Sequence, residues 1–135
     1  MMTRAEHFAP SSEDVALLME AGFVYRYLGR FSEARDVFRG VRALVPVNYM
    51  PDLALAGISL DEGKFEEAEA CCRRAIELNP GSGTAYAHLA EVQLFRKDRA
   101  AATLNLRRAL ELSPHGPTAD LAHALLKLSE LITKA

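Results

Sequence analysis

Three prolines, Pro46, Pro80 and Pro114, stand 34 residues apart and then 34 again. A strict period of that length marks a chain built by repeating one supersecondary unit, which removes most other architectures at once. Set on this register, the chain divides into segments 15–48, 49–82 and 83–116, and small and apolar residues fall into columns. Ala34 aligns with Ala68 and Ala102, Leu44 with Leu78 and Leu112, Val41 with Ala75 and Ala109, Gly29 with Gly63, and Phe31 with Phe65. The clearest matching pieces are LGRFSEA and EGKFEEA, followed by RALVP, IELNP and LELSP.

Each unit reads as two short amphipathic helices. Apolar residues recur three and four apart from Val15 to Leu28 and again from Phe31 to Leu44, with Gly29 and Arg30 between. Glycine at that joint can take the positive φ that ends a helix without a side-chain clash. The alanine column is where one helix backbone closely approaches another, and leucine followed by proline closes each unit, because proline cannot continue the helix ladder. Ser12, Asn48 and Ser82 are the expected N-caps of the three first helices, and Pro51 falls in a first turn, where its missing N–H is harmless. From Thr118 to Lys134 runs one more amphipathic helix, with Leu121, Leu125, Leu128 and Ile132 on one stripe, expected to cap the open end of the stack.

These columns resemble the tetratricopeptide repeat, a helix-turn-helix unit of about 34 residues, over 102 of the 135 residues. The resemblance implies an all-α fold, a right-handed superhelical stack. Its three units would occupy 13–116, between an N-terminal arm (1–12) and a C-terminal capping helix (117–135). Two departures stand out. The family's tryptophan column holds Leu18, Asp52 and Tyr86, and the third unit carries Lys97 and Arg99 in place of glycine and an aromatic. The third turn is therefore expected to be the least regular.

Composition narrows the function. With 16 basic residues against 18 acidic ones, the net charge is -2, and no global field draws the chain onto nucleic acid or anionic lipid. No run approaches the roughly 20 apolar residues a membrane span needs, and the first residues lack a signal-peptide core, so a cytoplasmic protein is expected without membrane insertion. His7, His88, His115 and His123 fall in no metal-ligand spacing, and no nucleotide or nucleophile-elbow motif occurs. No metal, no cofactor and no catalysis are therefore expected. Cys71 and Cys72 are adjacent, and Cys72 shares its column with Phe38 and Leu106, the position of a small buried hydrophobe. Charge alternates by unit: five basic residues against three acids in the first, three against seven in the second, five against three in the third. That pattern predicts attraction between neighbouring units across a solvated face; the alternative is a partner with an acidic patch for Arg26, Arg30, Arg35 and Arg39.

The resemblance also implies a binding surface, because in tetratricopeptide proteins the first helix of each unit lines the concave side. Those columns select Ala16, Met19, Phe23, Arg26 and Tyr27 from the first unit, Met50, Leu53, Gly57 and Leu60 from the second, and Thr84, Ala87, Glu91, Leu94 and Phe95 from the third. An apolar stripe of that length points to a protein or peptide ligand with an apolar segment, anchored on Phe23, Tyr27, Leu53, Leu60 and Phe95 and oriented by Arg26 and Glu91. Relatives that grip an acidic chaperone tail place lysine and asparagine where this chain has Met19 and Phe23, which excludes that role. Three other fates stay open for the stripe: packing between adjacent helices, cover by the arm around Phe8 and Pro10, and a homodimer or hetero-complex. AGFVYRYLGRFSEARDVF and LALAGISLDEGKFEEAEACC are similar in texture to small tetratricopeptide chaperones of bacterial type III secretion. That likeness implies a cytosolic chaperone of a secretion substrate; the alternative is a scaffold subunit of a larger complex, its groove filled by its own chain or a second copy.

Overall fold

The computed structural model describes residues 10–134. Among the described residues there are seven helices: α1 (Ser12–Tyr27), α2 (Phe31–Leu44), α3 (Met50–Asp61), α4 (Phe65–Leu78), α5 (Gly83–Phe95), α6 (Arg99–Leu112) and α7 (Pro117–Lys134). Among the described residues there is no strand. Helix pairs α1/α2, α3/α4 and α5/α6 are the helix-turn-helix units that the proline period predicts. Phe8, expected in a covering arm, lies outside the described residues.

Each helix packs on the one before and the one after it, so the core is three joined clusters rather than one ball. The second helices supply its regular part. Ala34, Phe38 and Val41, then Ala68, Cys72 and Ala75, then Ala102, Leu106 and Ala109 are buried at the same three positions of each unit. Their spacing of four and three residues places them on one helix face. The small alanines let the facing helix come close, while the middle position, Phe, Cys or Leu, fills whatever volume its neighbours leave. First helices of successive units also touch, α1 to α3, α3 to α5 and α5 to α7, whereas among the described residues the second helices do not touch one another. The stack therefore curves toward α1, α3, α5 and α7, and these four helices line its inner face.

Capping follows local chemistry with two shifts from the expected residues. Ser11, not Ser12, caps α1: its hydroxyl accepts from the Asp14 N–H at 3.1 Å while Asp14 accepts from the Ser11 N–H at 3.2 Å, a reciprocal box. For α3 the N-cap is Tyr49, and Asn48 instead accepts from the Met50 N–H at 3.0 Å. Ser82 caps α5 as expected, accepting from the Ala85 N–H at 3.2 Å.

The third turn is not irregular. Lys97 stands at φ 62°, beside Gly29 at 76° and Gly63 at 74°, and the closing hydrogen bonds repeat in all three turns. The Lys97 N–H donates to the Leu94 carbonyl at 3.0 Å and the Asp98 N–H to the Gln93 carbonyl at 2.9 Å; Gly63 and Lys64 do the same at 3.0 and 2.8 Å. Packing on both sides dictates the turn, and Asp98 adds a side-chain cap on Ala101 that Arg30 and Lys64 lack. The strain sits in Lys97, since a left-handed residue with a Cβ costs about 1–2 kcal/mol. Lys97→Gly should therefore stabilise the chain by about 0.5–1 kcal/mol, once glycine's greater unfolded freedom is counted. Urea denaturation would read this as a higher midpoint at unchanged slope, and a lower midpoint would refute it.

The alternating unit charges form the expected ion pairs. Unit-one arginines reach unit-two acids through Arg26–Asp61 (2.7 Å), Arg42–Asp52 (3.4 Å) and Arg35–Glu62, and Arg96 of unit three reaches Glu69 (2.6 Å). Most of these side chains keep part of their surface in water, where such a pair contributes about 0–1 kcal/mol. Asp52 differs: its side chain is fully buried and accepts from both Arg74 and Arg42.

Candidate functional site

The inner face places the expected residues at three depths. Tyr27 (90% exposed), Phe95 (58%), Phe23 (42%) and Met50 present side chains to solvent, and Ala16 is exposed with them. Arg26, Gly57, Leu60, Thr84 and Glu91 are half-buried. Met19, Leu53, Ala87 and Leu94 are buried, because their side chains turn to the neighbouring helix and fill the inter-helix clusters. The open apolar surface is thus narrower than the columns alone imply, and part of the stripe is packing between helices. Phe23 serves both ends: its ring meets Phe38 edge-on, with centroids 5.1 Å apart at 61°, and its other side stays open. Phe95 stacks on Phe65 at 6.0 Å, which ties the third first-helix to the second unit.

The middle of the groove is charged. Arg26 donates to Asp61 through Nε at 2.7 Å and Nη2 at 3.1 Å, a two-pronged bond between α1 and α3 that holds the guanidinium above its ordinary pKa. Gly57 gives it room: a Cβ there would stand 2.6 Å from Arg26 Nη1 and 2.7 Å from its Cζ. Arg26 was expected to orient a ligand, yet it already has a partner one unit away. Asp61 escaped the sequence reading because its column otherwise holds Tyr27 and Phe95. Glu91 and Arg26 both act through space on half-buried His88. Burial pushes that imidazole below its usual range, Glu91 pulls the other way, and Arg26 adds to the lowering.

Toward the C-terminal end the groove opens into a pocket of about 310 Å³, lined by Glu91, Leu94 and Phe95 of α5 and by Leu125, Leu128 and Ile132 of α7. Leu128 and Ile132 are exposed although they lie on the stripe that was expected to cap the stack. Of that stripe only Leu125 is buried and Leu121 half-buried; the face that packs is offset from it and runs through Ala119, Ala122, Leu125 and Ser129, and Thr118 hydrogen-bonds Thr84 of α5 at 2.8 Å. Ile132 falls in the column of Asp98, Lys64 and Arg30, outside the first helices, but the signal that would have found Leu128 is the repeat register itself. Continued by 34 residues, it aligns Leu125 with Glu91, Gly57 and Phe23, and Leu128 with Leu94 and Leu60, so α7 stands where a fourth first-helix would.

Burial disfavours the thiolate at both cysteines. Burial pushes Cys72 up to about 12 and also raises Cys71, although Arg74 pulls Cys71 down. Among the described residues no group of three His, Cys, Asp or Glu side chains could hold a metal ion, and no described helix is long and apolar enough to cross a membrane.

A tetratricopeptide repeat profile matches residues 19–83 and again 53–117. No curated protein sequence matches significantly. Three solved structures illustrate the likeness of fold. The Yersinia enterocolitica type III secretion chaperone SycD, in complex with a peptide of the translocator YopD, superposes with TM-score 0.75 at 20% identity, over 91% of this chain and 97% of that one. PcrH from Pseudomonas aeruginosa gives 0.76 at 21%, over 89% and 94%. The first TPR of Spaghetti (RPAP3), bound to the HSP90 peptide SRMEEVD, gives 0.76 at 23%, over 95% and 99%. At these identities the similarity is one of architecture.

Proposed function

The chain belongs to the tetratricopeptide repeat family, and from that premise we propose that it is a non-catalytic protein-binding module, a cytosolic chaperone that holds an apolar segment of a secretion substrate in its concave groove. One observation carries the reading: the groove ends in an open and almost wholly apolar pocket, with Phe95, Leu128 and Ile132 left in solvent. An exposed cluster of that kind on a folded chain ordinarily marks an interaction site. The architecture supports the same reading, since SycD is seen holding a translocator peptide. An HSP90-type acidic tail, as held by the Spaghetti domain, suits this groove poorly. Met19 and Phe23 stand in the columns where such binders place lysine and asparagine, and Arg26 is tied to Asp61. Covering about 500 Å² of apolar surface yields roughly 12 kcal/mol gross, and a cost of about 4 kcal/mol for ordering the bound segment leaves the roughly 8 kcal/mol of a micromolar complex.

The test uses fluorescein-labelled peptides tiling the products of the neighbouring genes, read by anisotropy. At least one apolar tile should bind with a micromolar Kd, and the double variant Phe95→Glu, Leu128→Glu should weaken it at least tenfold with helicity unchanged. Equal binding by that variant, or no bound tile, refutes the proposal.

A second reading, a scaffold subunit, has its own observation. Leu17, Val24 and Leu28 are exposed on the face of α1 that no other described helix covers. End-to-end stacking through that face would appear in light scattering as concentration-dependent assembly that Val24→Lys abolishes and groove peptides leave untouched.

A further inference from the structure

The pocket at the end of the groove carries a charge that its packing does not explain. Five of its lining residues, Leu94, Phe95, Leu125, Leu128 and Ile132, are apolar; the sixth is Glu91. Glu91 occupies the column of Phe23, Gly57 and Leu125, positions that a groove can fill without a charge. Among the described residues its carboxylate has no hydrogen-bond or ion-pair partner. Arg26, which acts on it through space, points Nε and Nη2 at Asp61. His88 beside it is driven toward its neutral form by burial. The groove therefore holds a negative charge with no cation in direct contact, half-buried at the lip of an apolar cavity. There a counter-charge is worth more than in open solvent, because less water screens it.

We infer that the groove selects a partner segment in which a lysine or arginine stands beside an aliphatic residue, Glu91 taking the cation and the pocket taking the aliphatic side chain. The inference rests on the chaperone reading above and adds the chemistry of the partner to it. Glu91 sits one turn before Leu94 and Phe95 on α5, so the two ligand side chains must lie within about 5–6 Å of each other. That spacing is two residues apart in an extended segment and three or four apart in a helical one. The long stem of a lysine or arginine suits the place, since its methylenes can lie on Phe95 while the charge reaches the carboxylate. An acidic segment meets the opposite: repulsion from Glu91 and a pocket with nothing to pair it.

The experiment uses the full chain and a matched panel of fluorescein-labelled twelve-residue peptides. One set carries leucine with lysine two or four residues away; the matched sets carry glutamate for the lysine or alanine for the leucine. Lysine peptides should bind at least tenfold more tightly than their glutamate counterparts, and the gap should narrow between 50 mM and 500 mM salt. Glu91→Gln should erase that preference and Glu91→Lys should reverse it. On the unmodified chain, methyl NMR shifts at Leu128 and Ile132 should follow titration of the lysine peptide, which keeps the test decisive if a Glu91 variant folds poorly. Leucine peptides that bind with no regard to charge, or a preference that survives Glu91→Gln, overturn this inference and leave the chaperone reading standing. If no leucine peptide binds, both fall. Leu128 and Ile132 shifts that track protein concentration without peptide assign the pocket to a second copy, and also overturn it.

Discussion

Phe38→Ala should lower the melting temperature by roughly 10–20 °C, from a loss of about 3–5 kcal/mol in a chain of this size. Phe38 is fully buried in the cluster that joins α1, α2 and α3, and two features keep that cluster from closing over the vacated space. The ring bears on the backbone of α1, where a Cβ on Gly22 would stand 2.5 Å from Cε1 and Cζ. It also supports Phe23 from below. Helix α1 has little else to hold it, since it touches α2 and, slightly, α3. The loss should accordingly appear first as detachment of α1, with groove affinity falling alongside stability because Phe23 loses its backing. Gly22→Ala alone should also destabilise, by about 1–3 kcal/mol, the ring having no room to give. Adding it to Phe38→Leu should be milder than the sum of the two, a coupling that a double-mutant cycle measures directly. Thermal unfolding followed by circular dichroism gives all four corners. A change below about 1 kcal/mol for Phe38→Ala would mean that α1 does not depend on this contact.

The second large effect is an asymmetry. Arg74→Met should destabilise by about 2–4 kcal/mol, whereas Asp52→Leu should be neutral or stabilising by about 1–3 kcal/mol. The Asp52 carboxylate is completely buried; its Oδ1 accepts from Arg74 Nε at 2.8 Å and from Arg42 Nη1 at 3.4 Å, while its Oδ2 has no partner. Removing Arg74 strands a charge that is already under-satisfied, and the remaining contact to Arg42 is long. Removing Asp52 instead frees two arginines whose side chains are 47% and 33% exposed and can return to water. The double variant should sit near Asp52→Leu alone. Chemical denaturation that ranks Arg74→Met equal to the unmodified chain would mean that the carboxylate is satisfied without it.

How much of this was legible depends on the distance over which each feature is decided. The 34-residue period located every helix pair, because turn residues and apolar spacing act within one unit: Gly29 and Gly63 turn as read, and Ala34, Ala68 and Ala102 are buried as read. N-caps shifted by one residue at α1 and α3, since Ser11 and Ser12 are equally able to cap and only the geometry of the Asp14 carboxylate chooses. Lys97 was misjudged because the local penalty for a left-handed lysine is smaller than the packing that imposes the turn.

The groove shows the limit most clearly. Its columns lie on the first helices, yet Met19 and Leu94 are sealed while Phe95 is open. Helical phase gives the direction of a side chain and not the size of the neighbour that meets it. By its own pattern, the sequence determined the number of helices, their pairing and the alternating charges that bind unit to unit, since each follows from residues close in the chain or repeated at a fixed interval. Only the tertiary structure decided which apolar side chains remain in solvent, that Arg26 is consumed by Asp61, and that Leu128 and Ile132 extend the groove past the last complete unit. These outcomes depend on how closely helices from different units approach. That distance is set by the volumes on both surfaces together, which no single column contains.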